Sequence, residues 1–199
     1  MQRLDLWPTV LFSSGEGEDA GPRELVRRAI LAEREATPGI VRANRGGWHS
    51  VPDLALRADP VWQVAIARVM RAVGEASAAL AASAGVALPP LRPRVQAWAL
   101  VLGPGDGVIL HDHAESDWSA VWYVDSGDGG ADGGGAIVFT DVRRVRSPLP
   151  GVEVAPSLCT VQPVDGQVLV FPGWLPHFVH PYGGTRPRVC VSANVIFER

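Results

Sequence analysis

The sequence predicts a mainly β fold, a sandwich or jelly-roll barrel, preceded by two helices. Three observations predict it. From Pro93 onward, short apolar runs recur at close spacing, separated by Gly, Pro and Asp. Before residue 90, two stretches repeat apolar residues at helical spacing instead. The last run alternates strictly: Val189, Val191, Ala193, Val195 and Phe197 make one face, and Arg188, Cys190, Ser192 and Asn194 the other. An arginine and an asparagine sharing one face of an otherwise apolar strand predict a polar pocket inside the barrel.

The elements follow in order. A strand is expected over 4–12, then an acidic, glycine-bearing loop. Pro22 suits a first helical residue. Leu25, Ala29, Ala32 and Ala36 form the stripe of that first helix, widened by Val26 and Ile30, and it fades before Pro38. A loop, Arg45-Gly-Gly-Trp-His-Ser-Val-Pro-Asp53, follows. Asp59 before Pro60 caps a long second helix, with Trp62, Ile66, Val69 and Val73 as its buried side and an end near Gly85. Strands are expected over 95–102, 107–113, 119–124, 136–140, 160–163, 167–172, 178–181 and 189–197. The glycine-rich segment 125–135 reads as a flexible insertion; a strand follows it, so it is no dinucleotide-binding loop. A calcium turn from Asp125, Asp128 and Asp132 would be a single copy with no repeat, which weighs against it. The expectation is one domain over 1–199, helical over 1–90 and β over 91–199.

Composition narrows the function classes. The chain has 199 residues, a net charge of −3 and 47% hydrophobic residues, an ordinary globular balance. Nothing in that charge argues for nucleic acid or a membrane surface. Cys159 and Cys190 lack CxxC spacing and read as buried thiols of a reducing compartment. With no charged-then-apolar leader and no long apolar run, a soluble cytoplasmic protein is expected.

The chemistry concentrates in two blocks. Gly105-Asp-Gly-Val-Ile-Leu-His111-Asp-His113 places two imidazoles two residues apart, and Gly166-Gln-Val-Leu-Val-Phe-Pro-Gly-Trp-Leu-Pro-His177 supplies a third. On a regular strand His111, His113, Glu115 and Asp117 share one face. Imidazole suits divalent Fe, Zn, Cu or Ni, and three ligands leave positions open for chemistry. His111, His113 and His177 are the favoured metal ligands, with Glu115 the first substitute and Asp117 another. His180 ranks lower, because an extended segment turns it to the opposite face. His49 reads as a pocket or surface residue. Arg188, not Arg186, is the candidate interior cation, since Arg186 precedes Pro187 and looks like turn.

Six blocks recur in order: Gly46-Gly-Trp-His-Ser50, His111-Asp-His113, Ser119-Ala-Val-Trp-Tyr123-Val, Gly135-Ala-Ile-Val-Phe139-Thr-Asp141, Phe171-Pro-Gly-Trp-Leu-Pro-His177-Phe-Val-His-Pro181 and Arg188-Val-Cys-Val-Ser-Ala-Asn194. Together, over residues 46–197, they resemble the 2-oxoglutarate/Fe(II)-dependent oxygenases related to the prolyl 4-hydroxylases. The resemblance implies a double-stranded β-helix of cupin-like kind with the two helices packed outside. It also implies Fe(II) at the histidines and oxidative decarboxylation of 2-oxoglutarate coupled to hydroxylation of a substrate. By position, His177 matches the distal iron ligand, and Arg188, eleven residues later, the residue that pairs with the far carboxylate of 2-oxoglutarate. A guanidinium fork suits that carboxylate. Tyr123 occupies an aromatic position of the family from which its hydroxyl reaches the same carboxylate. The first ligand pair is His-x-His here, where related enzymes usually carry His-x-Asp.

Two other readings compete. A cupin-like metalloenzyme without 2-oxoglutarate would use similar spacing, with Asp117 as its acidic ligand, but leaves Arg188 without a partner. A non-catalytic ligand-binding barrel would use Trp48, Trp98, Trp118, Trp122 and Trp174 as stacking surface, although such residues are more often core. The substrate is expected to be a small molecule or a protein side chain.

Overall fold

A computed structural model of the chain describes residues 8–14, 20–129, 134–143, 150–151 and 157–198. The elements in chain order are β1 (Phe12–Ser13), α1 (Ala20–Ala36), β2 (Asn44–Arg45), β3 (Trp48–His49), a 3-10 turn (Leu54–Leu56), α2 (Pro60–Ser83), β4 (Pro93–Leu102), β5 (Gly107–His111), β6 (Trp118–Asp125), β7 (Ile137–Thr140), β8 (Leu158–Val161), β9 (Val168–Pro172), β10 (His177–Val179) and β11 (Arg188–Phe197). Antiparallel pairing builds a six-stranded sheet, β1-β9-β6-β11-β4-β3, and a five-stranded sheet, β2-β5-β10-β7-β8. This is the jelly-roll arrangement expected. No helix among the described residues is long and apolar enough to cross a membrane.

The alternation of β11 divides the interior. Val189, Val191, Ala193 and Val195 join Val26, Ile30, Val69 and Val73 of the helices in one apolar cluster. Cys190 joins Leu100, Tyr123, Phe139 and Phe171 in a second cluster between the sheets. The helices thus seal the outer face of the larger sheet, and the inward residues of its strands are left to line whatever the sheets enclose.

α2 forms as its sequence dictates. Val61 N–H donates to Asp59 Oδ1 at 2.9 Å, Pro60 occupies the first helical position, and Gly85 closes the end at φ +68°. α1 departs from expectation in two ways. It starts at Ala20, with Pro22 inside its first turn, and Leu25 is 61% exposed while Val26 and Ile30 are fully buried. The widening residues are the true core stripe, because the neighbouring sheet lies on their side. Of the expected first strand, residues 4–7 lie outside the described residues, and pairing with β9 covers Phe12 and Ser13.

The Gly-Gly-Trp-His-Ser block is no simple loop. A short strand just before it, β2, pairs with β5 at an edge of the smaller sheet, and β3 within it pairs with β4 at an edge of the larger. Gly46 and Gly47 sit at φ +69° and +66° over the Asp106 carboxylate, which also accepts from Gly103 N–H at 2.8 Å. A Cβ on Gly47 would meet the Val101 carbonyl oxygen at 2.6 Å. Gly47→Ala is therefore expected to cost about 1–3 kcal/mol of stability; an unchanged midpoint in chemical denaturation would contradict this account of the turn.

Asp125 and Asp128 are not calcium ligands in this arrangement. Asp125 pairs with Arg27 at 2.7 Å, and Asp128 accepts from Tyr182, Thr185 and the Arg186 N–H. Asp132 lies outside the described residues. Cys190 is a buried thiol as expected, but Cys159 is exposed, at a position on β8 that faces solvent.

Candidate metal centre

β5 and β10 are hydrogen-bonded neighbours, and their register sets His177 directly across from His111. β5 ends at His111, so the face parity of a longer strand does not operate. His113 arrives by a turn instead: its N–H donates to Gly173 O at 2.8 Å, and Ser116 N–H donates back to His113 O at 2.8 Å. That turn packs on Gly173, where a Cβ would meet the Ser116 and His113 carbonyl oxygens, the latter at 2.6 Å. The glycine of the Phe-Pro-Gly-Trp run is thus a close-approach position. Gly173→Ala should displace the 113–116 turn; metal affinity equal to wild type in the folded variant would contradict that role.

The three imidazoles converge. One ligand atom from each of His111, His113 and His177 lies within 4.8 Å of the other two. Leu175 O accepts from His177 Nδ1 at 2.9 Å, and Ile109 O from His111 Nδ1 at 2.8 Å. A carbonyl can only accept, so Nδ1 carries the proton and each Nε2 presents a lone pair. Burial first, then the neighbouring His111, depresses His177 to about 3 and His113 to about 4, and burial lowers His111 as well. All three rings are neutral at pH 7, the form a metal requires.

The carboxylates considered as substitutes are elsewhere. Asp117 Oδ2 accepts from Phe197 N–H at 2.8 Å, and Glu115 is exposed and outside the cluster. The strand's end at His111 removed the parity that would have brought them in. His180 is exposed and packs its ring edge on Phe178.

A cavity of about 350 Å³ opens onto the cluster. Along β11 it is lined by Arg188, Cys190, Ser192 and Asn194, the polar face read in the sequence. Arg188 is 2% exposed, and its Nε and Nη1 have no hydrogen-bond partner among the described residues. Its guanidinium carbon lies 5.1 Å from the ring centroid of Tyr123, whose buried hydroxyl also lacks a partner. Burial pushes that hydroxyl well above its ordinary pKa, so it is a permanent donor. A buried guanidinium with unmet N–H groups beside an unmet O–H is a cradle for an anion. Arg186, by contrast, is exposed and donates to Gly127 O at 2.9 Å.

Two wall residues stand outside the ligand set: His49, which the sequence reads as a pocket or surface residue, and Trp98, which it offers as stacking surface in a non-catalytic barrel. His49 is buried and, with Trp98, lines the same cavity. Their contribution depends on β3 pairing with β4, a tertiary contact with no period or spacing of its own. Trp48, Trp118 and Trp122 are core, and Trp174 is 45% exposed.

Known proteins align with this geometry. A prolyl-4-hydroxylase from Pseudomonas putida superposes with a TM-score of 0.62 at 20% identity, covering 96% of this chain and 93% of its own. HygX from Streptomyces hygroscopicus, solved with nickel and 2-oxoglutarate bound, gives 0.59 at 17% identity, covering 94% and 82%. A prolyl hydroxylase from Trichoplax adhaerens, in complex with a hypoxia inducible factor peptide fragment, gives 0.59 at 12%, covering 94% and 83%. These likenesses establish a shared fold. Among curated proteins none matches the chain. Residues 96–194, which hold the histidine cluster, Tyr123 and Arg188, match the family model described as "Putative 2OG-Fe(II) oxygenase". The chain belongs to the 2OG-Fe(II) oxygenase family, the enzymes that use non-haem iron and 2-oxoglutarate.

Proposed function

We propose that His111, His113 and His177 hold the ferrous ion, and that Arg188 with Tyr123 holds the far carboxylate of 2-oxoglutarate. One observation carries the reading: a buried arginine and tyrosine with unmet donors face the same cavity as three neutral, converging imidazoles. The donor set fits a divalent iron, and the unmet donors fit a dicarboxylate. Bound iron and 2-oxoglutarate supply oxidative decarboxylation coupled to hydroxylation of a substrate C–H.

The chain's own residues bind, orient and exclude water. The Leu175 and Ile109 carbonyls fix the tautomers of His177 and His111. Arg188 and Tyr123 would hold one end of the co-substrate in the cavity that the histidines also line. Leu100, Val121 and Phe171 close the surroundings with apolar surface. A cupin-like enzyme without 2-oxoglutarate would leave Arg188 buried and unmet, which disfavours that reading.

We further infer that the substrate is a small molecule or a protein side chain. Among the structural neighbours HygX is known with hygromycin B bound and the Trichoplax enzyme with a peptide. The exposed free thiol of Cys159 supports a cytoplasmic location, where thiols stay reduced.

The test is iron-dependent turnover of 2-oxoglutarate to succinate by untagged protein. Tyr123→Phe should raise the KM for 2-oxoglutarate about ten- to a hundredfold, the loss of one hydrogen bond to a charged group. Succinate formation that is absent in the iron-loaded protein, or indifferent to Tyr123, would count against the assignment.

A further inference from the structure

His111 and His177 are oriented by carbonyl acceptors at their Nδ1 atoms. His113 is different: neither of its ring nitrogens has a hydrogen-bond partner among the described residues, although its backbone is held by Gly173. Besides the other two imidazoles, what meets its ring is Trp98, whose indole lies at 5.7 Å between centroids and 57° between planes. Trp98 is itself backed by His49, stacked nearly parallel at 5.6 Å and 9°.

That second ring is anchored. His49 is 7% exposed, and Ser50 O accepts from its Nδ1 at 2.6 Å. Its backbone oxygen accepts from Ile40 N–H at 2.8 Å, and β3 registers it against Leu100 of β4, two residues along from Trp98 on the same face. The next residue, Ser50, is tied twice to Ala99, at 3.0 and 2.9 Å. The Gly-Gly-Trp-His-Ser block therefore ends in a rigid post whose imidazole supports an indole, and the indole meets the one imidazole of the cluster that no hydrogen bond orients.

We propose that Trp98 and His49 are positioning residues for His113, a stacked wall that replaces the carbonyl tether of the other two histidines. This rests on the reading of His113 as a metal ligand. Rings held by packing lose their orientation when the packing face is removed, and a ligand free to rotate spends less time aimed at the ion.

The experiment uses the untagged full chain and Co(II) as the probe, with affinity read by calorimetry and geometry by the visible spectrum. Trp98→Ala and His49→Ala should each weaken Co(II) binding about tenfold or more, the scale of lost supporting contacts around a ligand. They should also shift the Co(II) bands while the far-ultraviolet circular dichroism stays at wild type. Trp98→Phe, which keeps an aromatic face, should recover most of the affinity. His49→Ala reports independently if Trp98→Ala fails to fold. Wild-type affinity and spectrum in both alanine variants, alongside a large loss in His113→Ala, would overturn the proposal and leave the ligand assignment standing. Wild-type behaviour of His113→Ala itself would overturn the ligand assignment, and this inference with it.

Discussion

Arg188→Met is expected to raise the dissociation constant for 2-oxoglutarate about a hundredfold, measured with the metal site saturated by Ni(II). The size follows from the physics of the position. A hydrogen-bonded buried charge pair contributes up to about 3 kcal/mol, and every 1.4 kcal/mol is about tenfold in affinity. Arg188 is 2% exposed and its Nε and Nη1 find no partner among the described residues, so the co-substrate carboxylate is the counter-charge the site requires. The same observation fixes the sign of a second effect. Without ligand, the variant should be no less stable than wild type, because Met replaces a buried cation whose N–H groups are unmet. A carboxylate partner inside the protein would have given the opposite sign.

His177→Ala is expected to lower metal affinity by more than about a hundredfold and to abolish turnover. Contacts outside a ligand set already cost ten- to a hundredfold, and His177 stands within the cluster itself. It is the most buried of the three, set across from His111 by the β5–β10 register and packed edge-on against Phe171 at 4.9 Å. The fold should survive the change. The lost packing costs about 1–3 kcal/mol, a range that a core of this size tolerates. Elemental analysis together with a thermal melt separates the two effects: a folded, metal-free variant is expected, and a folded variant that retains stoichiometric metal contradicts the assignment.

The fold was largely legible because period-2 patterning is a local signal. The alternation in β11 placed Arg188, Cys190, Ser192 and Asn194 on one face, and they line the cavity together. The histidine cluster was legible as a grouping but not by the reason first available. His111 and His113 meet through a turn after β5, made possible by Gly173, and not through two positions on one strand. The same end of the strand explains why Glu115 and Asp117, equal in parity, are not in the cluster.

What the sequence did not disclose was tertiary in origin. Two-residue strands such as β2 and β3 carry no periodicity, so the pairing that brings His49 to Trp98 has no one-dimensional trace. Periodicity centres the α1 stripe one residue off its true position, because Leu25 and Val26 are both apolar and only the neighbouring sheet decides between them. Composition alone suggests a buried Cys159, whereas its place on β8 exposes it.

The account comes down to one colour change. Anaerobic titration of 2-oxoglutarate into the Fe(II)-loaded protein should produce a visible charge-transfer band that saturates at one equivalent, is absent in His177→Ala, and needs far more 2-oxoglutarate in Arg188→Met. A wild-type protein that holds iron stoichiometrically yet stays colourless at saturating 2-oxoglutarate would contradict it.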